Sequence, residues 1–278
     1  MNSLLLELEN LFVRFPSPQG PVDAVSGVSL TLGRERLAIV GESGSGKSLT
    51  GRSLLRLVSS PGRMSADRLH FDGIDLMLAS AREMRKLRGA RISMVMQDPR
   101  YSLHPVMRVG DQIAEALRCH YRLSRSELKR RVLAMLEQVR IADPERVARL
   151  YPHQISGGMG QRVMIAMMLI PKPDVLIADE PTSALDVSVQ ETVLALIDTL
   201  VRDNGMGLIL ISHDLNLVAR YCDRILVMNA GKIVEECTAA ALAEAKHPYT
   251  QGLLAAVPQM ADTRDVLPVL ERKPWRAN

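Results

Sequence analysis

The chain contains no apolar run long enough to cross a membrane and no export signal at its start. Its longest uninterrupted apolar run, 163–170, has eight residues, whereas a helix that spans a bilayer needs roughly 20. The first residues include Glu7 and Glu9 and lack the basic stretch with which a signal peptide begins. The sequence therefore predicts a cytosolic protein that reaches a membrane only as a peripheral subunit.

Cysteine is scarce, and no block of basic residues is present. The three cysteines, Cys119, Cys222 and Cys237, are odd in number and scattered, which is typical of a reducing compartment. The formal net charge is only +4, and the chain lacks the basic tract that a nucleic-acid-binding protein usually shows. We therefore expect no nucleic-acid partner, while the small basic excess is compatible with an anionic ligand or a membrane surface.

The composition that remains is ordinary for a globular protein. The 278 residues are 47% hydrophobic and 24% charged, which argues against disorder and allows one or two domains. Apolar patterns predict strands over 4–9, 22–32, 36–40, 91–96, 175–178, 208–211 and 225–228. Helical patterns cover 46–58, 111–119, 126–139 and 188–201. Because strands alternate with helices, we expect an α/β fold with a mainly parallel sheet.

The segment 109–149 differs from the rest because it gives no strand signal. Two helices are expected there, and Ser124 followed by Glu127 predicts a capping box at the start of the second. We interpret this segment as a helical insertion in an α/β domain. The last stretch, 261–278, has two prolines among charged residues and is expected to be a loose tail.

One segment carries the pattern G-x-x-x-x-G-K-S, which is typical of a phosphate-binding loop. It reads Gly41-Glu42-Ser43-Gly44-Ser45-Gly46-Lys47-Ser48. Glycines let the backbone curl so that its N–H groups point at phosphates, while Lys47 supplies a charge for the β and γ groups and Ser48 a hydroxyl for Mg²⁺. The strand expected before it and the helix expected after it favour this interpretation over a Gly/Ser-rich turn that only caps a helix.

Two acids end the apolar run 175–178. Asp179, at the tip of a buried strand, would support Mg²⁺, and Glu180 would act as a general base or position water beside the γ-phosphate. The alternative is an exposed acidic turn before Pro181. Because the chain also contains a phosphate-binding loop, we favour the catalytic interpretation.

Three further polar residues lie at the ends of expected elements. His213 follows 208–211, and Gln97 ends 91–96, so both are expected at strand ends, where α/β sheets bind ligands. Either side chain could contact a γ-phosphate or be structural. Asp186 could likewise belong to the site or cap the helix that follows it.

Ser156-Gly157-Gly158 precedes the apolar run 163–170 and reads as a second phosphate-binding helix start. The unpaired N–H groups and the dipole at a helix N-terminus attract phosphate. One nucleotide site needs only one such helix N-terminus. Two of them in one chain suggest a protein that contributes part of the nucleotide site of a partner.

In this order the motifs resemble the ATP-binding subunit of ABC transporters, over nearly the whole chain. The resemblance is carried by the phosphate loop 41–48, Gln97 as the Q-loop, 155–159 as the signature, Asp179 and Glu180 as the Walker B pair, Asp186 as the D-loop and His213 as the switch histidine. It implies an ATP-binding domain over 1–259 and a short tail over 260–278. That domain would have a P-loop core with a mainly parallel sheet, an antiparallel β subdomain and a helical subdomain over about 100–172.

The resemblance also implies cofactors and residue roles. ATP and Mg²⁺ are expected, with Glu180, His213 and Gln97 as catalytic residues and Ser48, Gln97 and Asp179 around the metal. Leu49 would join the loop in contacting the nucleotide. Phe15 would lie under the adenine ring, with a core phenylalanine as the alternative.

Partners follow from the way this family assembles. Two ATPase domains, identical or different, pair head to tail, so Ser156, Gly157, Gly158 and Asp186 would complete the partner's site. The resemblance implies two transmembrane permeases and, indirectly, a periplasmic solute-binding protein. The chain itself would lie at the cytoplasmic face of the bacterial inner membrane. The usual Leu-Ser-Gly-Gly-Gln signature has Ile155 and Met159 at its ends here, so the two ATP sites of a dimer could be unequal.

The segment His247-Pro248-Tyr249-Thr250 resembles the tail motif of the peptide and nickel importers, with a plain helix start at Pro248 as the alternative. The segments 97–99 and 102–105 are similar to the Q-loop segment of that branch, with His104 where Asn is usual. No cysteine follows Cys237, which favours the shorter members that import nickel or metal–chelator complexes and argues against an iron–sulfur site.

We therefore expect the ATP-hydrolysing subunit of an inner-membrane importer for peptides, nickel or metal–chelator complexes. The competing hypothesis is a soluble ABC ATPase in DNA repair or translation, but such proteins usually have long coiled coils or two ATPase domains in one chain, and neither is present. A P-loop GTPase switch is unsupported, because no Asn-Lys-x-Asp motif occurs.

Overall fold

The structure is a computed structural model that describes residues 4–96, 102–183 and 185–256, apart from the side chains of Val187 and Ser188. Its strands are β1 Leu6–Phe15, β2 Val22–Leu32, β3 Arg36–Val40, β4 Arg63–Ser65, β5 Arg68–Phe71, β6 Ile74–Asp75, β7 Ile92–Val95, β8 Val175–Asp179, β9 Gly207–Ser212, β10 Arg224–Asn229 and β11 Lys232–Thr238. Its helices are α1 Lys47–Leu54, α2 Ala81–Leu87, α3 Val109–Arg118, α4 Arg125–Gln138, α5 Pro144–Arg149, α6 Gly157–Leu169, α7 Val187–Asp203, α8 Leu215–Tyr221 and α9 Pro248–Ala256. Short 3₁₀ turns lie at Pro152–Gln154 and Ala239–Glu244.

The larger sheet has the strand order β11-β10-β3-β9-β8-β7, and its strands are parallel except for β11. Strands β3, β8 and β9 are nearly continuous apolar runs, as expected where both faces of a sheet are covered. On β3, Leu37 and Ile39 belong to one hydrophobic core, while Ala38 and Val40 belong to the other. The carboxyl ends of the parallel strands therefore meet at one edge, between two packed layers.

The smaller sheet is antiparallel, with the order β2-β1-β5-β6 and with β4 also paired to β1. Along β1, Leu6 and Leu8 are buried and alternate with the more exposed Glu7 and Glu9, because successive side chains of a strand point to opposite faces. The buried leucines belong to the same core as Leu37 on β3. The smaller sheet is the antiparallel β subdomain that the sequence predicts.

Helices α3 to α6 pack on one another, and Ile113, Leu136 and Val163 are buried in a core that they share with the larger sheet. The segment 109–149 contains helices and no strand, as expected. The Ser124 hydroxyl accepts the N–H of Glu127 at 3.2 Å, so the predicted cap is present. The predicted capping box is only half formed, because the Glu127 carboxylate accepts instead from the guanidinium groups of two arginines on its own helix.

Several element bounds differ from the expected ones. The strands over 22–32 and 36–40 are confirmed residue for residue, whereas the strand expected over 4–9 continues to Phe15. The helix expected over 46–58 ends at Leu54, because Arg56 adopts a left-handed backbone with φ 52° and the N–H of Leu57 turns back to the carbonyl of Arg52. Helix α2 is not among the expected helices, although its N-terminus has a complete capping box.

No helix in the described parts of the chain is long and apolar enough to cross a membrane. The expected domain limits, 1–259 and about 100–172 for the helical subdomain, remain predictions. The expected tail over 260–278 lies outside the described residues.

Candidate functional site

The loop between β3 and α1 depends on its glycines. Gly41, Gly44 and Gly46 have φ values of 151°, 84° and 100°, which other residues rarely adopt. A Cβ atom at Gly41 would lie 2.1 Å from the backbone oxygen of Met228, and one at Gly46 would lie 2.8 Å from the backbone oxygen of Ala24. Gly41 and Gly46 therefore require glycine both for conformation and for space, and Gly44 requires it for conformation alone, as the sequence pattern predicts.

Lys47, at the start of α1, is enclosed by this loop. Lys47 is only 5% exposed. Its Nζ donates to the carbonyl oxygens of Gly41 at 2.7 Å and Glu42 at 2.8 Å. Burial lowers the pKa of the Lys47 ammonium, and the nearby carboxylates, first that of Glu180 and then that of Asp179, oppose this shift. The loop thus holds a partly desolvated cation beside two acids.

Ser48 and Asp179 bring two oxygen atoms together from positions 131 residues apart. The Ser48 hydroxyl donates to Oδ1 of Asp179 at 2.7 Å. Asp179 ends β8 and is 4% exposed, so burial raises the pKa of its carboxyl group, while the Ser48 hydrogen bond lowers it. A hydroxyl and a desolvated carboxylate side by side suit a hard divalent cation such as Mg²⁺, which prefers oxygen ligands.

Glu180 follows directly and is held in an uncommon conformation. Its φ is 45°, in the left-handed region, and its N–H donates to the carbonyl of Ile211 at 3.0 Å. Its carboxylate Oε1 lies 3.4 Å from Nδ1 of His213, which follows β9 and has a side chain that is 63% exposed. Strained non-glycine backbone of this kind is concentrated at functional sites. The structure therefore brings Glu180 and His213 together at the same sheet edge as Asp179.

A cleft of about 370 Å³ covers the loop. Its walls are Ala24, Ser43, Gly44, Gly46, Lys47, Ser48, Leu49, Arg52 and Glu180. These walls expose more polar than apolar surface and carry two basic groups, those of Lys47 and Arg52, and one acidic group, that of Glu180. Such a lining fits a phosphate-bearing ligand better than an apolar one. Phe15 is not among the lining residues. Its ring lies at Gly62, where a Cβ atom would come within 2.6 Å of Phe15 Cε1, so the expected adenine contact stays a prediction.

Ser156, Gly157 and Gly158 start helix α6, as predicted. Ser156 is the N-cap, and its hydroxyl accepts the N–H of Met159 at 3.3 Å. Ser156 and Gly157 are exposed, and a Cβ atom at Gly157 would meet nothing within 4 Å. These three residues do not line the cleft of their own chain. The structure thus presents this helix start to the surface.

The remaining expected site residues are placed less completely. Asp186 stands at the N-cap position of α7 and is exposed, but its side chain makes no capping hydrogen bond. Asp186 thus occupies the position of a helix cap without a capping hydrogen bond from its side chain, and its role in the nucleotide site stays a prediction. Gln97 lies outside the described residues.

Three residues near the site are not among the candidates from the sequence. Arg52 lines the cleft. The buried Gln161 of α6 donates from Nε2 to the carbonyl of Pro181, next to Glu180. Tyr249 accepts the N–H of Glu42 on its hydroxyl at 3.0 Å. The sequence does mark Tyr249, because the residue lies in the motif at 247–250. That motif does not predict which group the tyrosine hydroxyl contacts.

Comparison with known proteins agrees with this geometry. A family model described as "ABC transporter" matches residues 25–183. The dipeptide transport ATP-binding protein DppD of Haemophilus influenzae is 46% identical over 269 residues, which are 96% of this chain and 82% of that protein. The glutathione import ATP-binding protein GsiA of Escherichia coli K12 is 48% identical over 264 residues, 92% of this chain but only 42% of that protein.

Two solved structures show the same fold. The ATP-binding cassette MJ0796 bound to ADP and Pi superposes with a TM-score of 0.74 at 28% identity, covering 84% of this chain and 99% of that one. CbiO1 from Clostridium perfringens, part of the ABC transporter complex cbiONQ, superposes with a TM-score of 0.73 at 27% identity, covering 87% and 91%.

Proposed function

The chain belongs to the ABC transporter family, and from this premise we propose that it is the ATP-hydrolysing subunit of a bacterial importer for short peptides. One observation carries the proposal: Lys47, Ser48 and Asp179 converge with Glu180 and His213 at the carboxyl edge of one sheet. Each of these side chains has a part in phosphoryl transfer from ATP to water.

In this proposal the loop 41–48, with Leu49, surrounds the phosphates of ATP, and Lys47 faces the β and γ groups. Ser48 and Asp179 hold Mg²⁺ together with Gln97. Bound Mg²⁺ would neutralise charge that develops on the phosphate oxygens. The oxygen pair of Ser48 and Asp179, 2.7 Å apart, supports this assignment.

Glu180 is the residue proposed to orient and deprotonate the attacking water. Its carboxylate lies on the cleft wall and 3.4 Å from His213 Nδ1, so the imidazole can fix the direction of the carboxylate. His213 and Gln97 would then respond to the γ-phosphate. Phe15 is retained as the proposed adenine neighbour.

The site is proposed to be completed by a second ATPase subunit, identical or different. Ser156, Gly157 and Gly158, with Asp186, would contact the nucleotide held by the partner's loop. Ser156, Gly157 and Asp186 are exposed, and none of the four residues lines the cleft of its own chain. Both observations support this arrangement. Two permeases would hold this subunit at the cytoplasmic face of the inner membrane, and a periplasmic solute-binding protein would act indirectly.

Short peptides are proposed as the solute because the relatives described above are named for dipeptide transport and glutathione import. The sequence alone favours nickel or a metal–chelator complex, on the absence of cysteine after Cys237. Those named relatives support the peptide alternative instead, and nickel remains the second candidate.

Two experiments test the importer and its solute. The tagged chain should be recovered from detergent-solubilised membranes together with two transmembrane proteins, and its recovery with none would favour a soluble ABC ATPase. A deletion strain that requires an amino acid should then fail to grow on dipeptides containing it, yet grow on the free amino acid. A strain that grows on the dipeptides but loses nickel uptake would move the assignment to nickel.

A further inference from the structure

The peptide group between Gly41 and Glu42 is held on both sides by side chains. Its N–H, that of Glu42, donates to the hydroxyl of Tyr249 at 3.0 Å, and its carbonyl, that of Gly41, accepts from Nζ of Lys47 at 2.7 Å. The next carbonyl, that of Glu42, accepts from the same Nζ at 2.8 Å and from the N–H of Ser45 at 3.2 Å. The orientation of one peptide group therefore links Tyr249 to the lysine, and the lysine also holds the neighbouring carbonyl in the curl of the loop.

Tyr249 is placed by a hydrogen-bonded motif at 246–251. The Oε1 atom of Glu235, on β11, accepts the N–H groups of Lys246 at 2.6 Å and His247 at 3.3 Å. Nδ1 of His247 accepts the N–H of Tyr249 at 3.2 Å, which caps the start of α9. These bonds fix the direction from which the tyrosine ring approaches the loop.

The packing of its ring does not explain why residue 249 carries a hydroxyl group. The Tyr249 ring packs at the edge of the main hydrophobic core, and a phenylalanine ring would fill that space equally well. Burial raises the pKa of the Tyr249 phenol above its usual range, so the group stays neutral at physiological pH and can accept from Glu42. The hydrogen bond between Tyr249 and Glu42 therefore joins two residues that are 207 positions apart in the sequence.

We propose that Tyr249 is a positioning residue for ATP: by accepting the Glu42 N–H, its hydroxyl preorganises the phosphate loop without touching the nucleotide. The inference rests on the proposed function, and it gives the motif at 247–250 a role in the ATP site. Without this acceptor the Gly41–Glu42 peptide is held on one side only, by Lys47, and ATP must order the loop when it binds. The affinity for ATP then falls, while the groups at the ends of β8 and β9 that act on water are unchanged.

The test compares Tyr249→Phe with wild type in the full-length chain, and Tyr121→Phe is the matched control. The Tyr121 hydroxyl also bonds to a backbone group, the carbonyl of Pro171 at 3.3 Å, but it lies in the helical region away from the cleft. For Tyr249→Phe we expect the KM for ATP to rise about threefold to tenfold, the size expected for one lost hydrogen bond. The kcat should stay within about twofold. Tyr121→Phe should change neither parameter.

Hydrogen exchange supplies a second measurement that needs no ATP. In the nucleotide-free wild type, the Glu42 amide should be protected relative to the Gly44 amide, and Tyr249→Phe should remove that protection. An unprotected Glu42 amide in wild type, or an unchanged KM in a folded Tyr249→Phe protein, would overturn the inference. A wild-type chain that protects Glu42 but binds no ATP would instead contradict the proposed function.

Discussion

Asp179 is a residue whose environment serves chemistry at a cost in stability. Burial raises the pKa of its carboxyl group above its ordinary value. A group with a raised pKa in the folded state destabilises the fold once it is ionised, so its contribution is most favourable below the unfolded pKa and is lost as the pH rises through the folded pKa. At neutral pH the ionised carboxylate therefore lowers the stability of the folded state, and a bound cation would offset this loss.

We predict that Asp179→Asn raises the melting temperature of the nucleotide-free protein at pH 7 by about 2–4 °C, as expected for roughly 1 kcal/mol. The amide oxygen can still accept the Ser48 hydroxyl, and the buried negative charge is gone. Thermal unfolding followed by circular dichroism checks this. The gain should shrink as the pH falls toward 4, because wild-type Asp179 then takes up a proton. A gain that is constant across this range would refute the explanation.

Cysteine reactivity tests the packing at single residues elsewhere in the fold. Cys119 is exposed, whereas Cys222 is 6% exposed and burial raises the pKa of its thiol to about 12. Since only the thiolate reacts, iodoacetamide at pH 8 should label Cys119 readily and leave Cys222 unmodified until the protein unfolds. Peptide mass spectrometry after timed quenching measures both rates. Equal native rates would contradict the described packing.

At the scale of elements, two helices begin with the same serine cap but have different surroundings. Ser124 caps α4 and Ser156 caps α6, and each hydroxyl accepts the N–H three residues on, at 3.2 and 3.3 Å. Only Ser156 belongs to the signature that is proposed to complete the partner's site. The pair therefore separates the structural role of a cap from the catalytic one.

Replacing either serine by alanine should lower the free energy of unfolding by about 1 kcal/mol, the usual value of an N-cap. Only Ser156→Ala should also lower ATP hydrolysis, by at least about tenfold, because it removes a contact to the partner's nucleotide. Chemical denaturation and steady-state ATPase assays of both variants provide the comparison. Similar ATPase rates for the two variants would mean that the signature acts only as a helix start.

The first and last residues of strands and helices could be predicted where the local sequence pattern agrees with the burial of the side chains. Strands β2 and β3 match expectation because glycines and charged residues bound their apolar patterns. The end of α1 depends on the left-handed Arg56, a conformation that its residue type does not favour. Helix α2 has the capping box of Ser80 and Glu83, but its seven residues are too few to give a clear periodic pattern.

At the scale of the whole molecule, the site depends on which strands lie side by side. Ser48 and Asp179 could be expected to meet, because they follow β3 and end β8, and parallel strands present their carboxyl ends at one edge. The contact between Tyr249 and Glu42 could not be expected in this way. It depends on how α9 returns across the sheet after β11, and no local sequence signal fixes such a path.

The same topology accounts for the different roles proposed for the two helix starts at Lys47 and Gly157. The loop before α1 has a cleft with Glu180 on its wall. The start of α6 is exposed and does not line this cleft. In the proposed pair of subunits, each chain would therefore supply one catalytic half-site and one complementary half.

The central claim, that the sheet edge hydrolyses ATP, is tested most directly by Glu180→Gln with Glu191→Gln as control. Glu191 lies on the exposed side of α7, paired with Arg220. ATP binding by Glu180→Gln should stay within about threefold of wild type, while hydrolysis falls at least about 100-fold, the usual range for loss of a general base. Glu191→Gln should hydrolyse ATP normally. If Glu180→Gln turns over ATP at the wild-type rate, the site is not the one described.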